Sequence, residues 1–335
     1  MDPIRAIADA VLYEGYILWP YRKSAMKNQQ RWTFGGVYPR SHSEGREDDP
    51  WEMLTQCLVA TGPETGVEVA VRFLHVVRRR VARQEAGGLE PVEELRVEGE
   101  RHLSWDEAVE REFELPRLRL TDQRAGASLA VAVAAGEERE DLVDAAGERV
   151  GAVLRSWEAL EGTIEVEAEP VDRGLQRITV RIANTTPCAG AGPRDQALRR
   201  TFCSCHTVLR AAAGEFVSLT DPPERLAAEA GACRNQGTWP VLVGEAPDAT
   251  TLLSSPIILE DYPRIAPESP GDFFDGGEID QMLVLNILSL TAEEKAEMRD
   301  SDPRTREILE RTEALTEAEM MALHGTIREF GLARR

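Results

Sequence analysis

The sequence predicts an α+β protein with an antiparallel, sandwich-like β domain in the middle of the chain and a mixed α/β domain that ends in helices. Three observations support this prediction. Apolar and polar residues alternate in several stretches between residues 67 and 186, which is the period of a half-buried strand. The segment AGAGPR at 189–194 then interrupts the pattern. Helix-capping spacings follow near the carboxyl end.

The length of the chain predicts more than one compact unit. A sequence of 335 residues exceeds a typical single core, so we expect two domains with a smaller appended element. We divide the chain into an aromatic and basic amino-terminal segment at 1–60, a β-rich, sandwich-like domain at 61–188, and an α+β domain with carboxyl-terminal helices at 195–335.

The strands of the middle domain are predicted from alternation. In VEVAVRFLHVV at 67–77, every second residue from Val67 to Phe73 is apolar and lies on one face. In TIEVEAEPV at 163–171 and RITVRIANTTP at 177–187, apolar residues again alternate with charged or polar ones. Strands at such spacing, separated by turns rich in glycine and charge, are typical of an antiparallel sandwich.

The pattern changes after the linker. Leu198, Phe202, Cys205 and Leu209 are spaced as one face of a helix, although TVLRAAAGEFVSL could equally form a hairpin around residues 212–214. WPVLVG and SSPIIL are short apolar segments bounded by Pro and Gly, which favours strands.

Three helices are predicted near 292–300, 303–314 and 317–330. The first and third begin with capping-box spacings, and the second begins with an N-cap residue followed by Pro at the first helical position. The residues that carry these signals are Thr291 with Glu294, Thr316 with Glu319, and Asp302 with Pro303.

Composition restricts the partners and the compartment. The formal charge is -20, from 59 acids against 39 bases, and such a surface repels phosphate backbones, so we expect no nucleic-acid partner. The amino terminus lacks the basic flank and apolar run of a signal peptide, and no apolar stretch approaches the roughly 18 residues of a membrane span. We therefore expect a cytoplasmic protein. Five scattered cysteines do not form a natural disulfide framework.

Common catalytic signatures are missing from the sequence. It contains no GxxxxGK[ST] phosphate loop, no GxGxxG after a strand, no GxSxG nucleophile elbow and no HExxH zinc helix. These enzyme classes are therefore poor candidates, although an enzyme of another kind stays open.

The stretch FCSCH at 202–206 is the best candidate metal site. Cys203, Cys205 and His206 lie close together, and Cys233 or Cys188 could complete four ligands for zinc or iron. Zinc ligand pairs are usually separated by two to four residues, whereas only one separates these cysteines. The alternative is a pair of buried structural cysteines beside a structural histidine.

An aromatic and basic island is the first candidate docking face. No acid occurs from Gly15 to Ser43. Aromatic residues and Arg concentrate binding energy at interfaces, whereas the alternative is that the aromatics fill the core of a small amino-terminal unit with a solvated basic rim. The predicted partner-binding residues here are Tyr16, Trp19, Tyr21, Arg22, Lys23, Lys27, Arg31 and Trp32.

The acidic stretch APESPGDFFDGGEID at 266–280 is the second candidate docking face. It fits no register of a calcium loop. Asp275 suits an N-cap with Glu278 at N3, so the stretch is interpreted as a rigid entrance to a helix that presents Asp272, Asp275 and Glu278 to a partner. A cation site is the alternative.

Several blocks together resemble an uncharacterised bacterial protein family, common in actinobacteria, whose members are encoded near [NiFe] hydrogenase genes. The blocks are VLYEGYILWPYRKSAMKNQQRWTFGGVYP, FVSLTDPPE, CRNQGTWPVLVGE and LSSPIILEDYPRIAPESPGDFFDGGEID. The resemblance implies an accessory, assembly or maturation role for a metalloenzyme in the cytoplasm. It supplies no catalytic residues, and FCSCH lies outside the matching blocks.

Three functions follow as hypotheses. The first is a non-catalytic accessory protein that docks on a hydrogenase subunit or maturation factor through the two candidate faces. The second is a metal-binding protein that uses Cys203, Cys205, His206 and Cys233. The third is a carboxylate-dependent enzyme, because paired carboxylates such as those of Glu268, Asp272 and Asp275 serve as acid, base or metal ligand. The first is favoured because it requires the fewest features that the sequence lacks.

Overall fold

A computed structural model describes residues 35–121, 123–188 and 193–263, together with single positions within 5–12 and 290–314. The chain is mostly antiparallel β-sheet, with 57% strand against 13% helix, so the β part of the predicted α+β class dominates. The strands are β1 (Glu52–Glu85), β2 (Gly88–Val92), β3 (Glu94–Val97), β4 (Glu100–Leu103), β5 (Trp105–Arg119), β6 (Ala125–Val133), β7 (Gly136–Val143), β8 (Arg149–Trp157), β9 (Leu160–Asp172), β10 (Leu175–Asn184), β11 (Cys203–Val217), β12 (Trp239–Leu242) and β13 (Thr251–Ser255).

Short helical elements connect some of the strands. They are α1 (Arg40–Ser43), α2 (Arg194–Leu198), a 3-10 turn (Glu224–Leu226) and α3 (Ala227–Gly231). Near the carboxyl end, residues 292, 295, 296, 299, 306, 309, 310, 312 and 313 are helical. These positions lie in the first two predicted carboxyl-terminal helices, whereas the third, at 317–330, lies outside the described residues.

The main sheet is organised around β1. Its strand order is β12-β13-β11-β1-β10-β9-β6, and β2, β5 and β8 also pair with β1. β1 exchanges neighbours along its 34 residues: β10 first, then β11 and β5, and finally β8 and β2. The pairing with β11 shifts between Thr61 and Gly66, where Pro63 cannot donate to a ladder.

The inner face of β1 and β11 forms the largest apolar cluster. We define this face by Val67, Val69, Val71 and Phe73 of β1 with Cys205 and Leu209 of β11. The alternating apolar residues of β9 and β10 belong to the same cluster, which confirms the predicted inward direction of those two stretches. They are Ile164, Val166, Ala168, Ile178, Val180 and Ile182.

The outer face of the same strands is covered by different parts of the chain. We define it by Arg72, Leu74, His206 and Val208, which alternate with the inner residues. Leu74 packs with Leu12, Tyr38, Leu198 and Cys203. Val208 packs with Ile7, Ala8, Val241 and Leu253.

The predicted boundary at 189–194 does not coincide with an end of the main sheet. β11 follows this segment, of which residues 189–192 lie outside the described residues. β11 pairs with β1 from Leu58 to Leu74, and β12 and β13 extend the sheet further. Residues 203–255 therefore continue the sheet that begins at Glu52.

The predicted helical face at 198–209 is wrong, because residues 203–217 form strand β11. The strand is buried on both faces from Cys203 to Leu209, so it lacks the alternation of apolar and polar residues that marks a half-buried strand. The alternative hairpin is also wrong, since β11 continues past Ala213, where φ is 54°. WPVLVG forms β12 as predicted, whereas the SSPIIL strand lies upstream, because β13 ends at Ser255.

Candidate functional site

Both predicted docking faces lie outside the described residues. The amino-terminal island residues Tyr16, Trp19, Tyr21, Arg22, Lys23, Lys27, Arg31 and Trp32 fall within 13–34, and Glu268, Asp272, Asp275 and Glu278 fall within 264–289. The geometry that follows therefore concerns other parts of the molecule.

The predicted metal ligands are not brought together. Cys203 packs on the outer face with Leu198, whereas Cys205 packs on the inner face with Phe202. Ser204 lies between the thiols with a φ of 52°, which breaks the regular alternation, so neighbouring cysteines point to opposite sides of the sheet. Cys233 packs beside Leu58, Leu175 and Val217 in a separate cluster.

The chemistry of the two thiols agrees with this separation. Burial raises the pKa of both Cys203 and Cys205, whereas nucleophiles and metal ligands need the thiolate. Within the described part of the chain, no group of three or more His, Cys, Asp or Glu side chains is arranged to hold a metal ion. Residues 203–206 of FCSCH lie buried at the start of β11.

His206 is fully buried on the outer face and is neutral. Its Nδ1 donates to the carbonyl oxygen of Ser204 at 3.2 Å, so Nε2 is left as a buried acceptor with no partner in the described structure. Burial and the nearby Arg72 lower the pKa of His206 to about 3. Its ring is therefore uncharged at neutral pH.

Arg72 is the buried cation beside this histidine. It lies in register with His206 on β11 and with Glu112 on β5, and its side chain is only 2% exposed. Its guanidinium donates to Asp9 Oδ1 at 2.5 Å and to Glu110 Oε1 at 2.5 Å. Burial alone would lower the pKa of Arg72, but the carboxylates of Asp9 and Glu110 outweigh burial and raise it. The cation is thus permanently charged and neutralised locally.

His75 is a second buried, neutral imidazole. Burial and then the charge of Arg111 lower its pKa to about 4, against a smaller opposing effect from the backbone of Glu158. Neither ring nitrogen meets hydrogen-bond geometry with any described group. It is fully buried in β1, in register with Val109 of β5.

A buried polar network lies at the carboxyl end of the amino-terminal island. His42 Nε2 donates to Asp49 Oδ2 at 3.0 Å, and Arg194 donates to Asp49 Oδ1 at 3.4 Å and to the hydroxyl of Tyr38 at 2.6 Å. Burial raises the pKa of Tyr38 despite the opposing charge of Arg194. A His–Asp pair supplies two of the three members of a catalytic triad, but among the described residues Nδ1 of His42 is buried without a partner. The network therefore ties α1 to α2 and offers no positioned nucleophile.

The most distinctive surface feature is an open depression of about 570 Å³, which we call the acidic depression. It lies where the segment after β11 meets the segment after β13. Among the described residues, its lining includes three carboxylates and no Lys, Arg or His. The lining residues are Ser218, Thr220, Asp221, Leu242, Glu260, Asp261 and Tyr262.

Asp261 is the fixed centre of the acidic depression. Its Oδ2 accepts from Ser218 Oγ at 2.5 Å and from Thr220 Oγ1 at 2.7 Å, and its Oδ1 accepts from the backbone nitrogen of Leu242 at 2.8 Å. Asp221 and Glu260, by contrast, are exposed. The carboxylate of Asp261 therefore holds the segments of the depression together, and the carboxylates of Asp221 and Glu260 place negative charge at its rim.

The potential in the acidic depression is negative beyond its lining. Burial first, and then the charges of Asp261, Asp248 and Glu215, raise the pKa of the Tyr262 phenol. All three carboxylates disfavour the phenolate, as a locally negative field requires. Such a field attracts cationic groups and repels anions.

Sequence reasoning did not single out Asp261 or Tyr262. The two segments that meet at the acidic depression, FVSLTDPPE and LEDYP, are both within blocks that carry the family resemblance. That coincidence was the available signal, because no spacing rule links side chains that are 43 residues apart, such as Ser218 and Asp261.

None of the described helices has the length and hydropathy needed to cross a lipid bilayer. A scan against protein-family models finds no match for the chain, and a search of the curated proteins finds no significant match.

Proposed function

We propose that the protein is a non-catalytic accessory protein that docks a basic surface of a protein partner. The observation that supports this most directly is the acidic depression, where Asp221 and Glu260 are exposed around the fixed carboxylate of Asp261. Rim charges of one sign steer a partner of the opposite sign and fix its register. The net charge of -20 gives the same preference to the molecule as a whole.

The sequence that follows the acidic depression is also acidic. The chain leaves the acidic depression at Pro263 and enters the predicted acidic docking stretch at 266–280, which contains no Lys or Arg. The depression and the stretch are therefore adjacent along the chain and carry the same sign of charge. The aromatic and basic island at the amino terminus is the second proposed face, with opposite charge.

The described buried groups support a binding role over a catalytic one. His206, His75 and the two thiols of FCSCH are buried as uncharged groups, and none of them opens into the acidic depression. General acid–base work needs a group within reach of substrate. The carboxylate-dependent alternative rests on residues 268–275, outside the described structure.

The proposed context comes from the family resemblance. The partner is a hydrogenase subunit or a maturation factor, and the compartment is the cytoplasm. The proposed scaffold is a sandwich-like β region with a carboxyl-terminal helical unit. Its support is that β1, β9, β10 and β11 share one apolar cluster and that the described positions between 292 and 313 are helical.

Affinity capture from a native host tests this function. Three baits are compared: the wild type, the double variant Asp221→Asn/Glu260→Gln, and a matched control. The control, Glu137→Gln/Glu138→Gln, removes two exposed carboxylates from β7. We expect wild type and control to retain a hydrogenase or maturation component, and the depression variant to lose about 10-fold in recovery at low salt, because two rim charges contribute about 1.4 kcal/mol together.

Two results would contradict the proposal. One is that the baits recover no hydrogenase or maturation component. The other is that the depression variant and the β7 control recover it equally at all salt concentrations, since an electrostatic interface weakens as salt rises.

A further inference from the structure

One edge of the main sheet lacks the features that usually protect an edge strand. β6 lies at one end of the strand order and, among the described strands, pairs with β9 alone. Its nine residues, AGASLAVAV, include no charged residue and no proline. An edge strand of this kind offers a row of unpaired backbone N–H and C=O groups to an incoming strand.

The other strands of the main sheet that have a single partner among the described strands are protected. β7 carries five charged residues in its length of eight. β12 has only four residues, one of which is Pro240. β2 and β5 contain Pro91 and Pro116, and proline cannot donate to a ladder. Charge, short length and proline are common means of preventing pairing at an edge, so β6 is the exception within the described sheet.

The edge formed by β6 is open to solvent. Outside the ladder with β9, no described backbone hydrogen bond involves a residue of β6. Of the nine residues, Val131 alone is buried, whereas the inward residues of β9 are all buried. The rim of the large apolar cluster is therefore accessible beside β6, and apolar side chains of an added strand would cover it. The outward residues of β6 are small and exposed; they are Gly126, Ser128, Ala130 and Ala132.

A row of carboxylates lies one strand behind this edge. Three exposed Glu residues of β9 are in register with small outward residues of β6. The pairs are Glu161 with Ala132, Glu165 with Ser128, and Glu167 with Gly126. Within the described structure none of these three carboxylates forms an ion pair, and Arg181, which faces Glu165 from β10, pairs with Glu52 instead. The small residues of β6 leave the row open to a long side chain that arrives from the edge.

We propose that the free edge of β6 binds an extended segment of a partner protein in which apolar and basic residues alternate. The segment adds to the sheet as a further strand. Its apolar side chains continue the inward row of β6, and its Lys or Arg side chains cross the small outward residues toward the Glu row. The added strand lies two strand spacings, about 10 Å, from β9, a distance that a Lys and a Glu side chain span together. Arg124, which directly precedes β6, reaches Glu169 of β9 at 2.6 Å.

Charge favours this occupant over a second copy of the chain. Pairing of β6 with β6 of another copy would bring a second Glu row and no cation to neutralise the first. Each copy also carries a formal charge of -20, which opposes close approach of two identical molecules. A basic segment is instead attracted by the same charge.

The edge of β6 is separate from the acidic depression. Leu242 of β12 lines the depression, and β12 and β6 stand at opposite ends of the strand order. The inference therefore does not rest on the proposed function, and either can fail without the other.

Binding of a synthetic peptide to the full-length protein tests the proposal. The probe is a fluorescent peptide that alternates Val and Lys over the length of β6, and its affinity is measured by anisotropy. A peptide of the same composition, with all Lys at one end, is the first control. Two further peptides carry N-methyl groups on the Val amides or on the Lys amides, because each set points to one side of an extended strand. We expect one methylated peptide to bind as the probe does and the other to lose at least about 10-fold in affinity, since its donors can no longer bond to β6.

Protein variants test the two parts of the site. Glu165→Gln/Glu167→Gln should weaken binding of the probe by about 5-fold, because exposed ion pairs contribute little individually. The matched control Glu137→Gln/Glu138→Gln, which removes the same charge from β7, should bind the probe as the wild type does. Ser128→Lys should weaken binding by about 10-fold, because a Lys on an edge strand repels the basic peptide and fills the space above β6. Position 128 is exposed, so the substitution should leave folding intact.

Four outcomes would overturn the proposal. The first is equal binding of both methylated peptides and the probe, which would indicate attraction by charge without strand addition. The second is equal affinity of the alternating and the segregated peptide, and the third is equal affinity of the β9 and β7 double variants. The fourth is a dimer in sedimentation experiments that Ser128→Lys dissociates, because a second copy would then occupy the edge.

Hydrogen exchange checks the edge in the protein without peptide. About half of the β6 amides should exchange rapidly, since alternate N–H groups point away from β9. The probe should protect these amides. Slow exchange of every β6 amide in the free protein would mean that the edge is already covered.

Discussion

The two faces of β1 and β11 solve the problem of burial differently. From Val67 to Phe73 the inner face is apolar and packs against β9 and β10. One residue away, the outer face buries Arg72 together with His206, and the cation is neutralised by the carboxylates of Glu110 on β5 and of Asp9. The inner face gains stability from complementary shape, whereas the outer face depends on paired charges and on what covers them.

The largest expected effect comes from breaking the inner face. Phe73 is fully buried and stacks on Phe202 with ring centroids 4.5 Å apart and on Phe113 at 5.7 Å. Phe73→Ala removes both contacts and leaves a cavity, which should lower the free energy of unfolding by about 3–5 kcal/mol. Urea denaturation measures this loss.

The matched control for Phe73→Ala is Val109→Ala on β5. Val109 is 42% exposed, so we expect a change below about 1 kcal/mol. Equal losses for the two variants would contradict the assignment of Phe73 to the packed core.

The second prediction sharpens the contrast through acid. Both buried histidines have folded pKa values, about 4 for His75 and about 3 for His206, below the value of about 6.5 in an unfolded chain. The unfolded chain therefore binds more protons between these limits, so their contribution is fully retained above about pH 6.5 and stability is lost as the pH falls. Each histidine adds up to about 1.4 kcal/mol per pH unit to the slope.

Urea midpoints of wild type and His206→Gln between pH 7.5 and 4.5 measure this slope. All other titratable groups are common to both proteins, so the difference isolates His206. We expect the free energy of unfolding of the variant to fall less steeply with decreasing pH, by a slope that corresponds to about one proton fewer taken up on unfolding. Parallel curves would mean that His206 is not buried as a neutral group.

The smallest expected effect concerns metal. Cys203 and Cys205 lie on opposite faces, and burial raises the pKa of both thiols. The single variants Cys203→Ala and Cys205→Ala should therefore each bind the same amount of zinc as the wild type. Elemental analysis of untagged proteins measures it. Loss of one equivalent in either variant would restore the metal-binding hypothesis.

The alternation of apolar and polar residues predicted the inner residues of β9 and β10, because one face of each strand is less buried than the other. It failed for β11, which is buried on both faces and so shows no period of two. The separation of Cys203 from Cys205 depends on the left-handed backbone at Ser204. No residue pattern in FCSCH predicts this backbone conformation. The acidic depression was equally hidden, because Asp221 and Asp261 meet only through the sheet that places β12 and β13 beside β11.

The length of β1 has a consequence for synthesis on the ribosome. Its 34 residues emerge early, but β10 and β11, with which it pairs, follow on the order of 100 residues later, or about 10 s at typical translation rates. During that interval Val67, Val69, Val71 and Phe73 can pair with β5 but lack the apolar side chains of β9, β10 and β11 that cover them in the folded protein. Nascent chains arrested before residue 175 should therefore bind chaperones or aggregate. Chains extended beyond residue 217 should do so much less.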